Sequence, residues 1–218
     1  MTVTVDAWSP GARRVSKRDA SGWGVDAHVV DLPSGGTFVY APVRGAAEHY
    51  GAPAVILAPN HYHHLGLAEA RAAAPEALVC ASATALPRLG KQGHAGLVAG
   101  EDVHVDGVEL LAVPSTKNGE TWAFFPARRL LLVCDAFFHV VQPVTGFTGF
   151  ALRALRTVSG LKLGRTFVWL ALADLATYRA WAEATLTRLR PTAVGFSHGE
   201  VLVAEDATEQ LLAVLRAV

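Results

Sequence analysis

The stretch Pro59-Asn60-His61-Tyr62-His63-His64-Leu65-Gly66 constrains this chain more than any other. It puts three imidazoles within four residues, directly after the apolar run 54–58. A run of that kind reads as a fully buried strand. Residues 65–74 then carry Leu, Ala, Glu and Arg at helix-favouring positions and stop at Pro75. The histidines therefore stand at the carboxyl end of a strand, where an open α/β sheet leaves room for a ligand. Imidazole is the commonest protein metal ligand, so the cluster points to a metal. Its plainer reading is a polar loop whose rings bond to backbone and water.

The remaining elements follow in order. Residues 2–7 alternate around Val3 and Val5 and read as a strand. Residues 10–24 hold Arg13, Arg14, Lys17 and Arg18 among turn formers and are expected to be a solvated loop. Residues 25–32 and 37–43 read as strands joined by Pro33-Ser34-Gly35-Gly36, a hairpin signal. A helical turn over 46–50, a strand over 77–81 and an irregular turn over 86–89 come next. Hairpins are expected over 102–113, turning at Asp106-Gly107, and over 121–134, around Pro126-Ala127-Arg128. Helices dominate the second half. One covers 149–158, with Phe150, Leu152, Leu155 and Val158 among Arg153 and Arg156. A longer one starts at the N-cap Asp174 and ends at Pro191. A short strand over 192–196 leads to Ser197-His198-Gly199, and Asp206 with Glu209 makes a box-like start for a last helix. Hairpins, βα steps and helices in this order imply mixed sheets covered by helices, an α/β class, in a single domain over 1–218.

Composition excludes several functions. The chain has 218 residues, enough for a real core, with 51% apolar and 17% charged residues. Its 19 basic and 19 acidic side chains balance, which argues against nucleic acid as a partner. The longest apolar tract, 166–173, is too short to span a bilayer, and the N-terminus has no leader pattern. The two cysteines, Cys80 and Cys134, make neither a disulfide framework nor a zinc motif, although one bond between them is allowed. A reduced, cytoplasmic setting is expected.

The order strand, histidine-rich loop, helix, several strands, Asp at a strand end and late Ser-His-Gly resembles the metallo-β-lactamase fold superfamily. The resemblance covers residues 25–203. It implies a four-layer αββα sandwich of two mixed sheets covered by helices. That family typically reads His-x-His-x-Asp-His after a strand. Here His64-Leu65-Gly66 looks like the motif's final His and its Gly, which sets His63 in place of the Asp, His61 in place of the second His and Pro59 in place of the first. Thr116, in the turn 114–119, stands where a further His is expected. Cys134-Asp135 is similar to the family's Gly-Asp, and Ser197-His198-Gly199 to its late His-Gly.

What the resemblance implies is a reduced metal site. The first of the family's two metal positions keeps only His61, because Pro59 has no ligand atom and Thr116 is a weak one. The second keeps His63, His64, Asp135 and His198, enough for one divalent transition metal with a position left for water. Zinc is the first expectation and iron the alternative; magnesium and calcium suit an imidazole-rich site poorly. The function expected is a metal-dependent hydrolase acting on a small hydrophobic ester, amide, thioester or phosphoester, in which Asp135 ligates and orients water and His61 shuttles a proton. The alternative is a catalytically degenerate member that binds a small molecule or a protein partner.

Residues 136–173 contain no Asp or Glu, and set Arg153, Arg156, Lys162 and Arg165 among Phe137, Phe138, Phe147 and Phe150. Such a segment is a helix with its basic face in water, a cover over the cleft, or a contact with a second copy or a membrane surface. The cover is preferred, since the segment starts right after Asp135, with its phenylalanines walling an apolar pocket and an arginine meeting an anionic group. It is also the place for a homodimer contact.

Overall fold

A computed structural model describes residues 2–154 and 158–218. Three antiparallel strands open the chain: β1 (Thr2–Ser9), β2 (Ala12–Arg18) and β3 (Gly24–Asp31). The chain turns through the expected residues 33–36 into β4 (Thr37–Tyr40), antiparallel to β3. Pairing then becomes parallel, as β5 (Pro53–Ala58), β6 (Leu78–Ala81) and β7 (Val98–Ala99) add in succession. Helices α1 (Leu67–Ala73) and α2 (Leu86–Lys91) lie in the crossovers.

A second mixed sheet begins with the meander β8 (Glu109–Ala112), β9 (Thr121–Phe125) and β10 (Leu130–Val133). The chain leaves this sheet for β11 (Phe137–Val140), α3 (Gly146–Ala154) and β12 (Gly160–Leu163); β11 and β12 pair with each other. After α4 (Leu175–Leu189) it returns as β13 (Ala193–Phe196), parallel to β10, and closes with β14 (Leu202–Val203) and α5 (Ala207–Arg216).

Period-two alternation decides which face each side chain takes. Phe38 and Tyr40 of β4, Leu57 of β5, Phe125 of β9 and Leu132 of β10 share one buried cluster between the two sheets. The intervening Val39 and Ile56 face outward, onto Leu67 of α1 and Leu89 of α2. Trp122, Leu131 and Val133 face the other way, onto Tyr178 and Leu186 of α4 and Leu211 of α5. The result is the expected four layers, helix, sheet, sheet, helix. Both sheets are covered on both faces, which is why β10 reads as an unbroken apolar run.

Several local expectations are corrected. Residues 12–18 are a strand, not a solvated loop. Their cations are matched to carboxylates on flanking elements, Arg13 with Asp31, Arg14 with Asp6 and Glu200, and Arg18 with Asp26. Residues 86–91 form a true helix. The hairpin at Asp106-Gly107 shrinks to a bridge between Val105 and Val108. Asp174 caps α4 as expected, accepting from the N–H groups of Ala176 and Thr177. Asp206 does not cap α5; its carboxylate accepts from Gln210 instead. The hairpin of β11 and β12 was not foreseen. The expected helix over 149–158 runs from Gly146 to Ala154, and Leu155 and Arg156 lie outside the described residues. Cys80 and Cys134 are both free and buried.

Candidate metal centre

Parallel pairing of β10 with β13 builds half of the site. Val133 and Phe196 are the last matched residues, and Asp135 and His198 each lie two residues beyond them. Residues 63 positions apart in sequence are thus delivered side by side at the strands' carboxyl ends. Gly199, at φ +108°, turns the chain immediately after His198; a Cβ there would strike the His139 carbonyl.

His63 arrives from the loop after β5. Asn60 shapes that loop: its Oδ1 accepts from the N–H groups of Tyr62 at 2.8 Å and His63 at 3.1 Å, an Asx-type turn. The same amide donates through Nδ2 to Asp135 Oδ2 at 2.8 Å. One buried side chain therefore sets both the histidine loop and the carboxylate.

The three side chains converge. His63 Nε2 lies 3.1 Å from Asp135 Oδ1, and His198 Nε2 lies 3.3 Å from the same oxygen. One ligand atom from each falls within 4.8 Å of the others. His198 Nδ1 contacts the Gly24 carbonyl at 3.0 Å, and a carbonyl only accepts, so Nδ1 carries a proton. In the neutral ring, Nε2 then turns a lone pair toward a carboxylate oxygen. That arrangement calls for a proton or a cation between them, so the donor set fits a bound metal ion. Burial pushes the Asp135 carboxyl up, but the charges and hydrogen bonds of His63 and His198 outweigh it and hold the group well below the usual carboxylate range.

The expected fourth member does not join them. His64, expected as a further ligand, is not one of these three; its Nδ1 meets His94 Nε2 at 2.8 Å. Burial first, then the neighbouring imidazoles, lowers the His64 pKa, and burial followed by Arg71 lowers that of His94, so the pair is neutral and one ring donates to the other. His61 packs edge-on against Tyr62, with ring centroids 4.3 Å apart. Its pKa is lowered by burial and then by Arg88. Thr116 is engaged within its own turn, donating to Val113 O at 2.9 Å and accepting from the N–H of Glu120.

Aromatic side chains and a buried acid surround the site, and the acid, Glu120, is the one that sequence reading missed. Trp23 and Phe138 both stack near-parallel to the His198 ring, each with centroids 4.9 Å away. Glu120 is fully buried behind the site, and burial followed by the charge of Asp135 pushes its carboxyl up to about 8. A lone acid between Gly119 and the apolar residues of β9 was the only sequence signal for it. A cavity of about 910 Å³ opens over His63, Asp135 and His198. Its walls are mostly apolar, with Val43, Phe138, Leu152 and Phe167 among them, and Lys17, Asp19 and Arg44 line it too. Of the phenylalanines expected there, Phe138 lines the cavity, and Phe167 lines it as well. Phe137 is in the core, Phe147 and Phe150 face solvent, and among the described residues the arginine lining the cavity is Arg44.

No family model matches this sequence, and no curated protein matches it. Solved structures do. A metallo-β-lactamase from Pontibacter korlensis superimposes at a TM-score of 0.68 with 13% identity, over 100% of both chains. A metallo-β-lactamase from Pseudomonas aeruginosa, in its mono-zinc form, gives 0.62 and 11%, over 100% of this chain and 96% of that one. A metal-soaked flavodiiron core from Synechocystis gives 0.62 and 14%, over 97% of this chain and 61% of that one. At such identities the likeness is one of architecture: this chain has the metallo-β-lactamase fold.

Proposed function

We propose that the chain is a metal-dependent hydrolase with one divalent ion, held by His63, Asp135 and His198. The observation that carries this reading is the approach of two imidazole Nε2 atoms to one carboxylate oxygen, at 3.1 and 3.3 Å. Two histidines and a carboxylate are a common ligand set for hydrolytic zinc, with a fourth position open. Zinc is the proposed ion and iron the alternative. Such an ion, when bound, supplies Lewis acidity and lowers the pKa of a water towards about 7.

The chain's own residues do the rest. Asp135 supplies the negative charge that balances a cation, and Asn60 holds its second oxygen in place. Gly24 fixes the tautomer of His198, while Trp23 and Phe138 hold its ring. His61, neutral at pH 7 because its pKa is lowered, is the proposed proton shuttle. The apolar cavity suits a small hydrophobic ester, amide, thioester or phosphoester, with Lys17 and Arg44 facing an anionic group on it.

The test is metal analysis of protein purified without added metal, with turnover of p-nitrophenyl esters of increasing chain length. One ion per chain and ion-dependent hydrolysis, both lost in His198→Ala, are expected. Protein that takes up no ion even when zinc is supplied would favour the second reading, a degenerate binding protein. Thr116, bonded within its turn where the resemblance expects a ligand, is what supports that reading.

A further inference from the structure

Phe138 of β11, Leu152 of α3 and the short π-helical segment Phe167–Ala171 contribute to the wall of the cavity. This wall also carries four large apolar side chains open to solvent: Phe147 at 84%, Leu170 at 67%, Phe150 at 65% and Trp169 at 57%. Phe147 and Phe150 lie about one turn apart on α3, whereas Gly149 packs inward and Leu152 lines the cavity. Leu170 does both, facing solvent and lining the cavity, so the patch and the cavity mouth are continuous. Tyr62 and Leu65 form an exposed apolar lip from the histidine loop.

The charged side chains of the segment 136–173 itself have one sign, although Asp19 also lines the cavity. Residues 136–173 contain no acid. Arg153 and Lys162 are exposed, and the Arg165 guanidinium sits 5.0 Å above the Trp169 ring. Exposed aromatics and leucines rimmed by arginine and lysine are the composition of a face that enters the headgroup region of a bilayer. A second copy of the chain fits worse. A two-fold contact through this face would set Arg153, Lys162 and Arg165 against their own counterparts, with no acid of the segment to answer them. No helix among the described residues is long and apolar enough to cross a membrane, so the contact is peripheral.

We propose that this face seats the protein on an anionic lipid surface, with the cavity mouth opening against the bilayer. The docking needs neither the metal nor hydrolysis, so it stands or falls apart from the function proposed above.

The experiment is co-sedimentation of the full chain with vesicles of phosphatidylcholine alone and of phosphatidylcholine mixed with phosphatidylserine, across a salt series. Size-exclusion chromatography with light scattering runs beside it. Partitioning is expected to rise with phosphatidylserine and to fall with salt. The double variant Phe147→Ser, Trp169→Ser is expected to lose it while keeping its circular dichroism spectrum, since both side chains lie outside the core. Arg165→Gln should weaken it about fivefold. Asp135→Asn should bind vesicles as wild type does. Folded wild-type protein that ignores both vesicle types overturns the proposal. So does a stable dimer in solution that the double variant breaks, which would assign the face to a second copy.

Discussion

Glu120 grips the backbone on both sides of Asp135. Its carboxylate accepts from the N–H of Cys134 at 3.3 Å and from that of Ala136 at 3.1 and 3.2 Å, and from the indole of Trp122 at 2.9 Å. Burial, followed by the charge of Asp135, raises its carboxyl well above the usual carboxylate range. Glu120→Ala leaves three buried N–H groups without an acceptor, so a loss of about 3 kcal/mol or more is expected in urea unfolding. Glu120→Gln, which keeps one acceptor oxygen, should lose clearly less than the alanine variant. A glutamine variant as unstable as the alanine one would refute this assignment.

The ligand set makes a sharper demand. Asp135→Asn and His198→Ala are expected to weaken zinc retention by about a hundredfold or more, and Asn60→Ala by about tenfold to a hundredfold through loss of its hold on Asp135. His64→Ala should keep one ion per chain, since its ring is turned to His94. Elemental analysis after dialysis reads all four. Loss of the ion in His64→Ala would restore that residue to the ligand set.

His28 gives a pH dependence independent of the metal. It is fully buried with Nε2 on Phe196 O at 2.9 Å, and burial, the largest influence on it, lowers its pKa from 6.5 to about 4. Between those values the unfolded chain binds a proton that the folded chain refuses. Stability present above about pH 6.5 is therefore lost as pH falls, by about 3 kcal/mol when pH 4 is reached. Chemical denaturation at a series of pH values should show this slope in wild type and a flatter one in His28→Gln. Parallel slopes would place the acid sensitivity elsewhere.

The cations lining the cavity are expected to read the head of a ligand and not its tail. Decanoate should bind more tightly than decanol. Lys17→Gln and Arg44→Gln should each erase roughly twofold to fivefold of decanoate affinity at low salt and leave decanol unchanged. Arg44 is the more exposed of the two and pairs with Glu69, so its share should be the smaller. Calorimetry with both ligands decides it; equal losses for the alcohol would mean altered packing.

The layered fold was legible because its signals are periodic. Strands such as β5 and β10, buried on both faces, announce themselves as apolar runs, and Asp174 with Pro191 brackets α4. β2 was not legible, because the carboxylates that admit its arginines come from β1, β3 and the residue after Gly199, up to 186 positions away. At the site, Asp135 and His198 could be picked out as strand-end residues. The choice between His63 and His64 could not. They are neighbours in a turn, and which one faces Asp135 is decided by an amide three residues earlier and by His94, thirty residues later. Glu120 reaches the site only through tertiary packing, and its one mark in the chain is a lone acid ahead of an apolar strand.

The bond from His198 to the Gly24 carbonyl ties the two ends of the chain into one readout. Gly24 begins β3, and a Cβ there would run into the Lys17 carbonyl, so any larger residue must shift the strand that supplies the acceptor. A growing chain can complete β5, the histidine loop and even Asp135 before the last ring is able to take its working tautomer. Competence for metal would then arise late, after His198 has been made and docked against the first sheet. Metal uptake during refolding would thereby time the closure of the two sheets more directly than any spectroscopic signal from secondary structure.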